Sequence, residues 1–487
     1  MIILQLNKKD FEYDLYSLIR AFYPGTEVTV LYGEEETEDT YTLRIQLAYS
    51  DDAIRIRMEN GDRQLISEET EAVDYPGDRK ETKNRLKYRL YRMLERCTGQ
   101  SLPWGTLTGI RPTKIPMAFL EEGKKPAWIA QYMRETYLTS PEKTALGISI
   151  AVREREILKD IPYENGYSLY VGIPFCPSIC LYCSFSSSPI SVWEDRVDAY
   201  LDALCQEIAF GAEEYAGRTL STIYIGGGTP TTLNPAQLER LLSEIEGHFP
   251  LENVKEYTVE AGRPDSITRE KLEVLRRHPV TRISVNPQTM NQETLDLIGR
   301  RHTVEQTKEA FLLARELGFD NINMDLIVGL PGEAYPQVER TMQEIAALGP
   351  DSLTVHSLAL KRATRLNLFK DQYRELSFVN SSQIMDMTAE YARRAGMFPY
   401  YLYRQKNMAG NFENVGYAAP GKEGLYNILI MEEKQSILAL GAGASTKIVA
   451  AADRIDRIEN VKDIKSYIER IDEMIERKRQ GLQKYGK

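Results

Sequence analysis

From Tyr167 onward, six short apolar runs alternate with amphipathic stretches of helical spacing, and this alternation constrains the fold more than any other feature of the chain. The runs are SLYVGI (168–173), TIYIG (222–226), YTVEAG (257–262), RISVN (282–286), NINMDLIVG (321–329) and SLTVHSL (352–358). Between them the pattern predicts helices over 193–215, 236–247, 268–277, 304–317 and 335–347. Strands joined by helical crossovers pair in parallel and wind with one hand. Six such units predict an α/β fold: a partial, TIM-like (β/α)6 barrel, open on one side, with its functional residues at the C-terminal ends of the strands.

The flanks read differently. Residues 1–98 predict a small N-terminal α+β domain, from strand-like segments at 27–32 and 41–48 and a basic helix through Lys83–Arg96 with a solvated face. A helical connector follows over 99–164, where Ser140 and Pro141 read as N-cap and first residue of a helix. The barrel is assigned to 165–375. Residues 376–487 predict a mostly helical C-terminal extension on the substrate side, holding a small-residue strand at 438–445 (LALGAGAS) and a charged, peripheral helix over 459–487. The net charge of -10 argues against broad binding to nucleic acid. No apolar run approaches the roughly 20 residues of a membrane span, and no secretory leader is read, so a cytoplasmic location is expected.

Three of the five cysteines, Cys176, Cys180 and Cys183, crowd into one loop directly after the first barrel strand. A disulfide framework would spread its cysteines along the chain; a tight group reads as a metal or cluster site. The spacing C-x3-C-x2-C lets one loop bring three soft thiolates around a compact centre, which favours zinc or iron–sulfur. Structural zinc wants four protein ligands, and the loop holds no fourth Cys or His. Cys205 keeps helical step with Leu201 and Ile208 and reads as a core residue. A cube of four irons on three thiolates leaves one iron open to an external ligand, so an iron–sulfur centre is expected.

Gly226-Gly227-Gly228-Thr229-Pro230 follows the second strand, where glycines admit a close approach of backbone to a ligand. Glu260 stands near the end of the third strand, and Gln288 just past the fourth. Asp325 lies inside an apolar run, a costly position for a carboxylate without a partner. Arg282 and Arg300 are either ligand contacts or members of structural ion pairs. No Ser/His/Asp or Cys/His constellation is read, so no protein acid, base or nucleophile is assigned.

The three-cysteine motif after the first strand resembles the radical S-adenosylmethionine (SAM) superfamily. GIPFC-x3-C-x-YCSF resembles, within it, the oxygen-independent coproporphyrinogen III oxidase family, over roughly residues 165–450. LPWGTLTGIRPTKI (102–115), RISVNPQT (282–289) and YYLYRQKNMAGNFENVGY (400–417) resemble its HemZ-type branch. The resemblance implies a [4Fe–4S] cluster on Cys176, Cys180 and Cys183, with SAM on the open iron. It implies that Gly227, Gly228 and Thr229 meet the methionyl part of SAM, and that Glu260 bonds its amine or ribose. Gln288, Arg300 and Asp325 match SAM-binding positions. Gly329-Leu-Pro-Gly332 matches a family turn, Tyr170 and Tyr182 line the cluster pocket, and Ala359 with Gly441–Ser445 closes the substrate side.

The chemistry that the resemblance implies is one-electron cleavage of SAM to a 5′-deoxyadenosyl radical, then oxidative decarboxylation of two propionates of coproporphyrinogen III to vinyls. The substrate is thus a tetrapyrrole, and the electron comes from a low-potential donor such as flavodoxin or ferredoxin. Lys361, Arg362, Arg365, Arg404 and Lys406 are candidate propionate contacts, with surface charge as the alternative. Two departures from the best-known oxidases bear on the substrate: Phe185 stands where they carry a further Cys, and Asn286-Pro287 where they have Gly-Val. The alternatives on the same scaffold are a radical SAM tetrapyrrole methyltransferase and a heme-trafficking protein, the latter needing an axial ligand such as His302 or His356.

Overall fold

The computed structural model describes residues 1–37, 40–359, 364–368, 378–405, 408, 412–451 and 454–485. They form two compact units, Met1–Val152 and Arg153–Lys487.

The first unit is built on a five-stranded sheet ordered Val28–Tyr32, Ile2–Leu6, Leu43–Tyr49, Ala53–Asn60, Leu65–Ala72. Ile2–Leu6 is parallel to both neighbours and buried at every residue, as expected of a strand covered on both faces. The helix Arg79–Thr98 starts on Asp78, whose side chain accepts from the Glu81 N–H, and stops at Gly99 in the left-handed region. Its Leu86, Leu90 and Leu94 face the core, while Arg85 and Arg89 reach Glu71 on the edge strand. Three helices follow, Lys114–Glu121, Pro126–Tyr137 and Pro141–Leu158, the last running on past the end of this unit at Val152.

The second unit carries the expected alternation. Its parallel strands are β1 (Gly166–Ile173), β2 (Thr219–Gly227), β3 (Glu256–Gly262), β4 (Arg282–Val285), β5 (Ile322–Val328) and β6 (Ser352–Ser357), paired in that order. The crossovers hold α1 (Val197–Glu214), α2 (Pro235–His248), α3 (Arg269–Arg277), α4 (Val304–Glu316) and α5 (Tyr335–Leu348). α2 and α4 open on capping boxes, Asn234 with Gln237 and Thr303 with Gln306, which fix where each helix leaves its loop. The strands are buried almost without interruption, because helices cover one face and the barrel interior the other. All six strands and all five helices fall within a few residues of their sequence-predicted ranges.

The C-terminal extension holds the expected helices and also five strands: β7 (Phe398–Tyr403), β8 (Asn414–Ala418), β9 (Ser436–Leu440), β10 (Ser445–Ala451) and β11 (Arg454–Glu459). β8 pairs antiparallel with β6, and β9 pairs parallel with β1, so the barrel sheet is continued past both its end strands. The segment 438–445 is not one strand. Gly441, at φ 103°, turns the chain between β9 and β10, where a Cβ would lie 2.5 Å from the Gly172 carbonyl oxygen. The terminal helix Ile471–Tyr485 is not peripheral either, since Met474 and Lys478 are fully buried. Among the described residues no helix is long and apolar enough to cross a membrane.

Candidate functional site

The cysteine loop leaves β1 through Pro174 and is closed on itself by a two-residue ladder, Phe175–Cys176 beside Ser188–Pro189. The Ser188 N–H donates to the Pro174 carbonyl at 2.8 Å, tying the loop's end to its start. Three anchors then fix its interior. The Leu181 N–H donates to the Ile298 carbonyl (2.9 Å), and the Ser178 hydroxyl to that of Gly299 (2.9 Å). From the turn after β3, the Arg263 guanidinium donates to Ser178 and stands 3.6 Å from Cys180 Sγ. Cys180 is buried, Cys176 and Cys183 half-buried. Burial pushes the Cys176 thiol up and Cys183 to about 11, so binding a metal centre there must release protons.

The glycines after β2 serve this loop. Gly228 N–H donates to the Ile173 carbonyl and Thr229 N–H to that of Phe175, both at 2.7 Å, and the Thr229 hydroxyl lies 3.6 Å from Cys176 Sγ. A Cβ on Gly228 would run into the Phe175 carbonyl and reach 3.0 Å from Cys176 Sγ. We therefore expect Gly228→Ala to displace the loop and to lower stability by about 1–3 kcal/mol, measured by denaturant unfolding.

Arg300 meets the loop at Tyr182, and Gln288 lies just past β4. Gln288 adopts φ 65° and is pinned to β5 on both sides: its N–H donates to the Asp325 carbonyl, its carbonyl accepts from the Ile327 N–H, each at 2.9 Å. Its side-chain oxygen is buried with no hydrogen-bond partner among the described residues. A left-handed backbone and a buried orphan acceptor thus coincide at Gln288, and either alone calls for an explanation. Arg300 is 3% exposed; it donates to the Tyr182 hydroxyl (3.1 Å) and the Asn286 carbonyl (2.7 Å), and its Nε is left without a partner. No ion pair of Arg300 occurs among the described residues, so the structural-pair alternative gains nothing there. Arg282, in contrast, is spent on Asn321 and the Lys422 carbonyl.

Two carboxylates lie on the strands, Glu260 near the end of β3 and Asp325 in the middle of β5. Glu260 accepts from the Tyr224 hydroxyl; burial pushes its carboxyl up to about 7, against that hydrogen bond and with Asp325 adding to the rise. The Tyr224, Tyr170 and Tyr426 rings stack on one another as a triangle, with centroid separations of 6.2 Å (Tyr170–Tyr224), 4.4 Å (Tyr224–Tyr426) and 6.4 Å (Tyr170–Tyr426). Asp325 has protein partners that its sequence context did not reveal, the Asn323 amide at 2.7 Å and His356 at 3.7 Å. Burial opposes its ionisation, but His356, Asn323 and Thr354 outweigh that and hold the carboxyl below its usual range. His356 is held in turn by the Tyr403 hydroxyl at 3.4 Å, and His302 is fully buried, so neither imidazole is presented as a ready axial ligand.

On the substrate side, Ala359 bridges to Met408, and Arg404 is buried, its guanidinium lowered to about 10 by burial against the pull of Glu413. Arg365 is exposed. Lys361, Arg362 and Lys406 lie outside the described residues. Sequence reasoning missed Arg263 and the His356–Asp325 contact. Each depends on which strand end faces which, and no local pattern carries that information.

Among the described residues, no three His, Cys, Asp or Glu side chains converge as ligands of a single ion. An iron–sulfur cube imposes a different demand, because each thiolate takes its own iron. Three soft thiols on one anchored loop fit such a cube. The orphan atoms of Gln288 and of Arg300, which reaches the loop through Tyr182, fit a polar ligand.

The radical SAM superfamily profile matches residues 170–345. The chain is 39% identical over 474 residues to the oxygen-independent coproporphyrinogen-III oxidase-like protein HemZ of Bacillus subtilis (strain 168), covering 95% of this chain and 94% of that protein. It is 34% identical to the heme chaperone HemW of Lactococcus lactis subsp. lactis (strain IL1403), over 57% of this chain and 69% of that one. Among solved structures, coproporphyrinogen III oxidase (HemN) from Escherichia coli superposes with a TM-score of 0.52 at 27% identity, covering 66% of this chain and 73% of the other.

Proposed function

The chain belongs to the radical SAM superfamily and, within it, to the oxygen-independent coproporphyrinogen III oxidase family in its HemZ-type branch, and from that premise we propose that it is a cytoplasmic enzyme converting two propionates of coproporphyrinogen III to vinyls, giving protoporphyrinogen IX. Its cofactors are a [4Fe–4S] cluster and SAM. The observation that carries the reading is the loop itself: three thiols, no fourth thiol or imidazole between Cys176 and Ser188, and anchors from three neighbouring segments. We assign Cys176, Cys180 and Cys183 to three irons, with the fourth left to SAM.

Bound together, the two cofactors supply a carbon-centred radical able to take hydrogen from an unactivated C–H bond. The protein's task is then position and exclusion. Gln288 offers its orphan oxygen to a donor on SAM, and Arg300 its unpartnered Nε to an acceptor. Glu260 and Asp325 supply acceptors for amine and hydroxyl groups. The mutually stacked Tyr170, Tyr224 and Tyr426 set rigid rings beside Glu260. A low-potential donor such as flavodoxin or ferredoxin delivers the electron.

The test is anaerobic incubation of reconstituted protein with SAM, a reductant and coproporphyrinogen III. Formation of 5′-deoxyadenosine together with protoporphyrinogen IX is expected. 5′-Deoxyadenosine without porphyrin change rejects the substrate and keeps the chemistry. Methylated product with S-adenosylhomocysteine points to a methyltransferase, and tight heme binding without turnover to a carrier. Gln288→Ala is expected to weaken SAM binding about tenfold, roughly 1.4 kcal/mol, in equilibrium titration, with the iron content unchanged.

A further inference from the structure

Gly262, at φ 54°, bends the chain as it leaves β3, and the next residue, Arg263, turns back under the cysteine loop with 4% of its surface exposed. Its guanidinium is locked by a fork from Asp265, Nε to Oδ1 at 2.9 Å and Nη2 to Oδ2 at 2.6 Å. That leaves Nη1, which donates to the carbonyl and hydroxyl oxygens of Ser178 at 3.2 and 3.1 Å and stands 3.6 Å from Cys180 Sγ. The arrangement is directional. The cation is buried and faces the sulfur, while its counter-anion lies on the far side of the fork, where it meets solvent. His302, 4.0 Å from Asp265, is itself held neutral by burial, with a pKa of about 3, and leaves the carboxylate to Arg263.

We propose that Arg263 is a positioning residue that sets how readily the cluster accepts its electron, by an N–H···S hydrogen bond to Cys180. The proposal rests on the reading of Cys180 as a cluster ligand. One-electron reduction takes the centre from 2+ to 1+, with the electron coming from an external low-potential reductant, and part of the added charge settles on the thiolate sulfurs. A fixed donor beside one sulfur favours the reduced form, as hydrogen bonds to cluster sulfurs do generally. Arg suits the place because two of its nitrogens can be held by a carboxylate while a third points elsewhere. Asp265 restrains the effect by opposing the cation, so its removal acts in the opposite direction.

The experiment is a potentiometric titration of the reconstituted full-length protein, read by electron paramagnetic resonance, alongside iron analysis. Arg263→Gln should make reduction at least tenfold less favourable, a midpoint about 59 mV lower. Asp265→Asn should raise the midpoint, and Arg263→Lys should fall between Gln and the parent. Titration of Arg263→Gln and Asp265→Asn clusters at the parental midpoint overturns the proposal, leaving Arg263 as a loop anchor only. If Arg263→Gln holds no iron, Asp265→Asn decides: an upward shift supports the proposal and none overturns it. A parent protein that binds no cluster overturns the ligand reading itself, and this proposal with it.

Discussion

Replacing Cys180 with Ala is expected to reduce bound iron and sulfide to background and to abolish 5′-deoxyadenosine formation, while the chain stays folded. Cys180 is the middle cysteine of the loop, proposed above as a cluster ligand; its sulfur faces Arg263, and its carbonyl accepts the Cys183 N–H at 3.1 Å. The backbone bond survives the substitution; the sulfur does not. Two remaining thiolates cannot hold three corners of a cube, and the partly assembled centre is lost to solvent and oxygen. The folding cost is that of one small buried group, on the order of 1 kcal/mol. Cys205→Ala is the control. Cys205 sits half-buried on α1, away from the loop in sequence, and its loss should leave iron and cleavage at parental levels. Anaerobic iron and sulfide analysis with quantitation of 5′-deoxyadenosine reads both variants. Cys180→Ala that keeps its iron, or a parent that carries zinc, ends the radical SAM reading of this site.

The barrel was legible because its strands are covered on both faces, which writes each as a continuous apolar run, and because the helices between them change the period. The cysteine loop was legible because its pattern is local: three cysteines within eight residues stand out without any tertiary information. Gln288 was placed by family resemblance, yet its left-handed backbone was not visible in VNPQT, since nothing in those letters says that β5 pins it on both sides. Arg263 shows the limit more sharply. In EAGRPD it looks like any arginine beside a proline, and its role comes from a loop some eighty residues earlier in the chain. The C-terminal strands were hidden for the same reason. β9 pairs with β1 across more than two hundred and fifty residues, and FPYYLY or NVGYA alone is too short to demand a partner. Gly441 reads as strand interior in LALGAGAS, although its close approach to Gly172 requires a turn.

Lys478→Met should destabilise the second unit by about 3–5 kcal/mol, the usual cost of leaving one member of a buried ion pair unpartnered. On paper Lys478 is one of several basic residues in the charged helix IDEMIERKRQGLQKY, and composition gave no reason to single it out. In the structure its ammonium is fully buried and donates to Glu207 Oε1 and to the Ala439 carbonyl, both at 2.6 Å. Glu207, equally buried on α1, accepts as well from the Gly441 N–H (2.8 Å), the Asn460 amide (2.8 Å) and the Tyr467 hydroxyl (2.6 Å). One carboxylate therefore ties α1, the turn after β9, the short helix Ile464–Glu469 and the terminal helix Ile471–Tyr485 to each other. Because Gly441 rests against the end of β1, immediately before the cysteine loop, this knot also holds the wall from which the loop departs. Removing the lysine leaves the carboxylate buried with neutral donors only, whereas Glu207→Gln combined with Lys478→Met removes both charges and should recover much of the loss. The cycle of the two single variants and the double variant, followed by denaturant unfolding of the second unit, measures the coupling directly. A loss below about 1 kcal/mol for Lys478→Met would place the pair in the range of exposed surface bridges and show that the terminal helix is not clamped through it.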